Sequence, residues 1–196
     1  MRRHIIIIIV LTSFAVLTGC GPSSSKYTLS ERRRIIDDMA ASSLQHLYTI
    51  KPSARDEVAQ AAGYAVFSNA NVTVLFASGG AGYGVVVDKT TGVKTYMRMG
   101  MGGLGLGLGA KDYRQILVFK SRDAMQKFVG TGWDVGGQAD AAAKIGETGG
   151  EAGGEGTLRN QISVYTITEN GLMLQATITG NKYWIDDELN QPSLVR

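Results

Sequence analysis

Apolar positions after residue 27 first recur at helical spacing, and further along the chain they recur at strand spacing. From Thr28 onward, apolar residues lie three or four positions apart, with charged residues on the opposite face. Thr28 and Glu31 form a T-x-x-E capping box at the start of this pattern, which predicts a helix. A second, shorter helix is predicted after Ser53, with Asp56 at its third position and Gly63 near its end.

Beyond Gly63, short runs of β-branched and aromatic residues predict successive strands. The sequence Asp88 to Gly92, which lies between the runs 82–87 and 93–99, is typical of a hairpin turn. At 102–109, Leu alternates with Gly, which leaves one face of a strand without side chains and suits close approach by another backbone. The predicted strands in this part of the chain span 72–77, 82–87, 93–99, 102–109 and 116–119.

The last third of the chain repeats this alternation after one short helix, which is predicted from Ser121 to Val129. Residues 133–145 fit a strand better than a helix, and 146–156 are predicted to form an exposed acidic loop. Glu169-Asn170-Gly171 separates two strand patterns and is a strong hairpin signal. The three remaining predicted strands span 162–168, 172–179 and 182–185.

Together these elements predict an α+β fold. Two amino-terminal helices pack on a glycine-rich, mostly antiparallel β-sheet, either open or closed into a barrel, with one further short helix.

The first twenty residues have the pattern of an export signal. A basic start is followed by an apolar stretch from Ile5 to Val16, which is too short for a permanent membrane span. Leu17-Thr18-Gly19-Cys20 resembles the lipobox of bacterial lipoproteins, in which the cysteine is acylated and becomes the first residue. The alternative is an ordinary secretory signal with a chance cysteine. We therefore expect a signal peptide at 1–19, an acylated tether at 20–27 and a single domain at 28–196.

Composition argues against most catalytic chemistry. The chain has two His and one Cys, and removal of the signal would leave His46 as the only histidine, so a zinc site or a His-dependent triad has few candidate residues. Gly100 to Gly105 matches G-x-G-x-x-G, but a strand pattern follows it instead of a helix, so no nucleotide site is expected. Asp37-Asp38 and the acidic run 186–188 are expected to be solvated. No catalytic, metal or cofactor residue is predicted, and a carboxylate-based hydrolase is a third-ranked alternative.

One basic cluster lies close to the tether. Residues 26–55 carry six positive and three negative charges, whereas the formal net charge falls from +3 to +1 when Arg2 and Arg3 leave with the signal. A net charge of +1 gives little support to nucleic-acid binding. Basic residues near an anionic lipid surface contribute about 1 kcal/mol each, which favours a membrane contact. The alternative is a solvated helix face on which Asp37 and Asp38 pair with the arginines. The basic residues proposed to contact lipid headgroups are Arg32, Arg33, Arg34, Lys51 and Arg55.

Four glycine- and aromatic-rich motifs resemble those of the SYLF domain family in order and spacing. They are Ala62-Gly63-Tyr64-Ala65-Val66-Phe67, Gly79-Gly80-Ala81-Gly82-Tyr83-Gly84, Gly132-Trp133-Asp134-Val135-Gly136, and the segment from Asn170-Gly171-Leu172-Met173 to Gly180-Asn181-Lys182. This resemblance covers about 28–184. It implies a domain that binds membrane lipids, phosphoinositides among them, with no enzymatic activity. It also implies lipid contact through an amino-terminal amphipathic helix.

The sequence therefore predicts an outer-membrane-anchored lipoprotein that faces the periplasm. Gly21 after the cysteine favours the outer membrane by the lipoprotein sorting rule. The expected ligands are anionic lipids, either of the phosphoinositide type or bacterial phosphatidylglycerol and cardiolipin, and no cofactor is expected. The alternative is an envelope structural or assembly protein that engages a protein partner through its acidic loop or a sheet edge.

Overall fold

The fold was obtained as a computed structural model that describes residues 26–132, 161–168, 171–173 and 179–192. The predicted signal peptide, Cys20 and most of the tether lie outside these residues. So do the predicted strand at 133–145 and the predicted acidic loop at 146–156.

Two helices open the described part of the chain. Helix α1 spans Leu29–Ile50 and begins with the predicted capping box, in which Thr28 donates its backbone N–H to the Glu31 carboxylate at 2.8 Å. It ends just before Pro52, because proline disfavours the helical conformation of the residue that precedes it. Helix α2 spans Ala54–Gln60, as the sequence predicts, although Ser53 makes no side-chain capping bond.

The sheet is built on two strands of 26 residues each. Strand β1 spans Gly63–Asp88 and strand β2 spans Lys94–Phe119, and they pair antiparallel around the predicted turn. The prediction of separate short strands is therefore wrong in this region. The gap that the prediction leaves at 78–81 lies inside strand β1, because glycine weakens a strand without preventing its backbone from pairing.

Three shorter strands and one helix complete the described fold. Helix α3 spans Arg122–Thr131 and follows β2 directly. Strand β3 spans Ile162–Thr168 and pairs with the end of β2, and β4 at Gly171–Met173 pairs with β3 across the predicted hairpin. Strand β5 spans Thr179–Ile185 and pairs with the beginning of β2. All pairings are antiparallel and the sheet of described strands is open, so the α+β prediction is confirmed without closure into a barrel.

Glycines allow the long hairpin to bend back on itself. A Cβ added at Gly84 would overlap the carbonyl oxygen of Val66 and the ring of Phe67, and one added at Gly82 would overlap the carbonyl oxygen of Ser68. The second half of β1 therefore lies directly against its first half. This close approach of two backbones requires residues without side chains, which accounts for part of the high glycine content.

Helices cover both faces of the bent sheet. Helices α1 and α2 cover one face, and α3 covers the other. Aromatic rings dominate the core under α3, where the ring centroids of Phe67 and Tyr183 lie 4.7 Å apart and those of Phe128 and Tyr183 lie 5.0 Å apart. The buried side chains of the α1 and α2 face include Ile36, Ala40, Leu44, Leu47, Val58, Val66, Val85, Ile116 and Val118.

Candidate functional site

The predicted headgroup residue Arg32 lies in the first turn of α1 and is buried. Only 6% of its side chain is exposed. Its Nη1 lies 2.7 Å from the Glu188 carboxylate and its Nη2 lies 3.8 Å from the Asp186 carboxylate. Asp186 is also buried, and it accepts a hydrogen bond of 2.8 Å from Nε of Arg98. Arg32 therefore belongs to a four-residue charge cluster that joins α1 to the segment after β5.

Arg33 binds the same segment through its backbone. Its Nε donates to the carbonyl oxygen of Leu189 at 2.8 Å, and its Nη2 donates to that of Gln191 at 2.5 Å. Its guanidinium also lies 6.0 Å from the centroid of the Tyr96 ring, within range of a cation–π contact. We call residues 186–191 the strap, because two consecutive arginines of α1 hold this segment across the helix.

The strap is also fixed to the sheet. The Asn190 side chain accepts from the Tyr96 N–H at 3.0 Å and donates to the Tyr96 carbonyl at 2.7 Å, so it completes the bonding of a strand residue. The backbone N–H of Asp186 also donates to that carbonyl, at 3.0 Å. Leu189 is 3% exposed and belongs to the core under α1. The strap is thus a packed part of the domain.

Tyr96 joins the strap to the charged face of α1. Its hydroxyl donates to the Asp37 carboxylate at 3.3 Å, and Asp37 also forms an ion pair of 2.8 Å with Lys94. Burial, together with the negative charge and hydrogen bond of Asp37, raises the pKa of Tyr96 to about 12, and the charge of Arg33 opposes this shift. The expectation that Asp37 is simply solvated is therefore wrong, since its carboxylate holds a sheet residue.

Arg34, the third arginine of the run, is exposed. Hydrogen bonds from Thr28 lower the pKa of Glu31, and the charge of Arg34 adds to this effect. Lys26 is also exposed at this end of α1, with its ammonium 5.4 Å from the centroid of the Tyr27 ring. Of the three consecutive arginines, Arg34 is therefore the one whose side chain faces solvent.

Lys51 and Arg55 lie at the opposite end of α1. The helix has 22 residues and is about 33 Å long, so these two cations are far from the arginine run. Each lies over an aromatic ring, Lys51 at 5.7 Å from the centroid of Tyr165 and Arg55 at 4.7 Å from that of Tyr48. The structure therefore separates the five predicted headgroup residues into two groups.

Sequence reasoning missed the contacts that give Arg32 and Arg33 their partners. Arg32 and Asp186 are 154 positions apart, and no local spacing reports a contact at that separation. The expectation that the acidic run 186–188 is solvated is wrong for Asp186, which is 5% exposed. The available signal was charge complementarity between the arginine run and this acidic run, which sequence analysis treated separately.

No group of three or more His, Cys, Asp or Glu residues that could hold a metal ion occurs in the described ranges. His46 is exposed on α1. None of the helices at 29–50, 54–60 or 122–131 is long and apolar enough to cross a membrane.

Comparisons with known proteins support the predicted resemblance. Residues 100–192 match the model of the family described as "Ysc84: Las17-binding protein actin regulator". A protein of Aeromonas veronii named Beta cell expansion factor A is 36% identical to this chain over 168 residues. That alignment covers 85% of this chain and 62% of the Aeromonas protein, so the chain spans less than two thirds of its relative's length. The resemblance predicted from the sequence is confirmed: residues 100–192 match the model of the Ysc84, or SYLF, family, and most of the chain aligns with the Aeromonas protein.

Proposed function

We propose that this chain is a bacterial outer-membrane lipoprotein, acylated at Cys20 and facing the periplasm, whose SYLF domain binds anionic lipid without catalysing a reaction. The proposal is supported by the lipobox-like Leu17-Thr18-Gly19-Cys20 and by the basic end of α1. A periplasmic domain meets phosphatidylglycerol and cardiolipin, so these are the proposed physiological lipids. A phosphoinositide offers the same anionic phosphate chemistry.

The observation that carries this proposal is the composition of the surface at the amino-terminal end of α1. Lys26 and Arg34 are exposed there, and so is Trp184 on β5, with 43% of its surface accessible. Trp184 pairs in register with Arg98, which contacts the charge cluster around Arg32. Basic residues beside an exposed indole are typical of surfaces that sit at a membrane interface, because the cations attract phosphates and the indole suits the headgroup layer.

Glycine gives Trp184 its position. A Cβ added at Gly100 would lie 3.1 Å from two carbon atoms of the indole, so the ring rests against backbone that carries no side chain. Ile185, the next residue, is 38% exposed. Two large apolar side chains therefore stand at the same end of the domain as the exposed cations.

The short distance from the anchor also supports an orientation in which the amino-terminal end of α1 faces the membrane. Lys26 follows Cys20 by six positions, and a fully extended chain over that separation spans at most about 21 Å. An acylated Cys20 would hold this end of α1 near the bilayer. The charges come within the Debye length of about 8 Å at physiological salt when the tether shortens to well under half of that length.

The structure changes the roles that we propose for the arginines. Arg34 and Lys26 contact headgroups. Arg32 and Arg33 instead hold the strap against α1 and so stabilise the end of the helix that carries those two cations. Lys51 and Arg55 form a second contact if the bilayer runs parallel to α1. A Lys51→Glu/Arg55→Glu variant that retains full lipid binding would restrict the contact to the amino-terminal end.

Flotation with liposomes tests the proposal, using a chain that starts at Gly21 and so lacks the acylation site. Lys26→Glu/Arg34→Glu is expected to abolish flotation with phosphatidylglycerol liposomes, and Trp184→Ala is expected to weaken it. The matched control, Lys120→Glu/Lys127→Glu, makes the same charge change at exposed positions elsewhere. Equal flotation of the two charge variants would contradict the proposed contact surface.

A protein partner is the second candidate, and two observations favour it. The description of the matched family names a protein, Las17, that its members bind. Within the part of the chain that the structure describes, β5 pairs with β2 alone, and an unpaired strand edge is a surface that a strand of a partner can bind. Crosslinking in the envelope tests this candidate: recovery of one specific protein with the Lys26→Glu/Arg34→Glu variant as efficiently as with the unsubstituted chain would favour it over lipid.

A further inference from the structure

An apolar groove lies between α3 and the turn that joins β1 to β2. Its volume is about 330 Å³, and it is distant in the chain from the arginine run. The wall supplied by the hairpin carries Val86, Val93 and Thr95, and the wall supplied by α3 carries Met125 and Val129. Most of this lining is hydrocarbon, which suits the apolar part of a ligand.

The α3 wall is one continuous helix face. The α3 residues that line the groove lie at positions 122, 125, 126, 129 and 130, a pattern that places them on one face of the helix. Eight residues of helix rise by about 12 Å, which sets the length of the groove along α3. A groove of this length and volume accommodates one acyl chain.

Val93 forms an exposed lip of the groove. It is 58% exposed, the highest value among the exposed large hydrophobic residues of the described ranges. It lies in the hairpin turn region, where its carbonyl accepts the N–H of Asp88 at 3.0 Å, so its backbone is held in place. A ligand that covers this side chain removes its apolar surface from water, which contributes favourably to the free energy of binding.

An ion pair lies at the mouth of the groove, and its cation is the more exposed partner. Arg122 and Asp88 form an ion pair of 3.3 Å there, with 50% of the Arg122 side chain exposed and only 13% of Asp88. The Asp88 carboxylate also accepts N–H groups from Thr90 and Thr91, at 2.8 and 3.2 Å. Its charge is thus already bonded within the domain, whereas the guanidinium has five donors and faces solvent.

We propose that this groove binds a free fatty acid, with the acyl chain along α3 and the carboxylate on Arg122. The exposed guanidinium of Arg122 selects this occupant, because only one of its nitrogens lies within ion-pair distance of Asp88 and guanidinium groups bind carboxylates strongly. The site goes beyond the proposed membrane contact: it takes a single monomeric chain and needs no bilayer.

Calorimetric titration of the purified full-length protein with laurate, below its micellar concentration, tests the site. Saturable binding at one site per chain is expected. Arg122→Gln is expected to weaken it by about tenfold or more, since a hydrogen bond between charged groups contributes about 1.5–3 kcal/mol. Dodecyltrimethylammonium, which has the same chain and a cationic head, is expected to bind no better to the unsubstituted protein than to Arg122→Gln.

Substitutions that leave the core intact complete the test. Val93→Asp places a charge on the lip and is expected to abolish laurate binding, whereas the same change at Val164, which is 42% exposed on β3, is expected to have no effect. Lys127→Gln is the control for Arg122→Gln on the same helix. Equal loss in both aspartate variants, unchanged binding in Val93→Asp, or no saturable binding at all would each overturn the proposal.

The groove proposal and the membrane-contact proposal can be refuted independently of each other. Lys26→Glu/Arg34→Glu is expected to bind laurate normally, because neither residue lines the groove. Loss of laurate binding in that variant would contradict an independent groove site.

Discussion

Asp186→Asn tests whether the buried charge cluster holds the strap to α1. Asparagine has the same shape and keeps an oxygen that accepts the Leu189 N–H, now at 3.2 Å, so the substitution removes the charge with little change in packing. It leaves Arg32, 5% exposed as a residue, with Glu188 as its remaining carboxylate partner at 2.7 Å. The perturbation is therefore a partly uncompensated buried cation.

The magnitude follows from these contacts. Removing one partner of a buried ion pair costs about 3–5 kcal/mol when the other charge is left alone. Here Glu188 stays in contact and the half-exposed Arg98 can return to solvent, so we expect a loss of about 2–3 kcal/mol in the free energy of unfolding. Because urea slopes are about 1–3 kcal/mol/M, the midpoint of urea unfolding should fall by about 1 M or more.

Urea unfolding followed by circular dichroism measures this loss. Asp187→Asn is the matched control, because Asp187 is the exposed neighbour, and it should change stability by no more than about 0.5 kcal/mol. Adding Arg32→Met to Asp186→Asn should recover part of the loss, since no buried cation then remains. Equal stability of the two asparagine variants, or no recovery in the double variant, would refute this reasoning.

Three further predictions concern the bent sheet, the alkaline limit of stability and the anchor. Gly84→Ala should cost about 2 kcal/mol or more in urea unfolding, because its Cβ overlaps the Val66 carbonyl, whereas Gly102→Ala, with no atom within 4 Å, should not; equal costs would contradict the bend. Burial raises the pKa of Tyr96 from 10.0 to about 12, so its contribution to stability is complete below pH 10 and is lost as pH rises through 12. Tyr96→Phe should reduce this alkaline fall in the urea midpoint, and an unchanged fall would count against it. Cys20→Ala should release the protein from membranes and prevent labelling with palmitate; persistent labelling would overturn the lipoprotein assignment.

Local signals in the sequence were sufficient to predict the helices and the turns. The capping box of Thr28 and Glu31 and the turn at 88–92 appear in the structure where the sequence places them. The strand lengths were not predictable in the same way. Glycines normally mark the ends or interruptions of strands. Here they lie within 26-residue strands, because the packing of β1 against itself requires positions without side chains.

The site was harder to predict than the fold, since its partners are remote in sequence. A run of arginines on one helix face predicts an electropositive surface, yet burial depends on what packs over that face. The strap supplies the carboxylates of Asp186 and Glu188 and the carbonyls that bind Arg33. Only Arg34 of that run keeps the exposure that the sequence led us to expect for all three.

Flotation of the chain starting at Gly21, which carries no acyl anchor, tests the central claim most directly. Liposomes of zwitterionic lipid alone and liposomes with phosphatidylglycerol are compared at low and high salt. The account predicts flotation with the anionic liposomes only, weakened by salt because screening shortens the range of the exposed cations. Absence of flotation with every liposome would contradict it, and would mean that only acyl chains at Cys20 could hold the protein at a membrane.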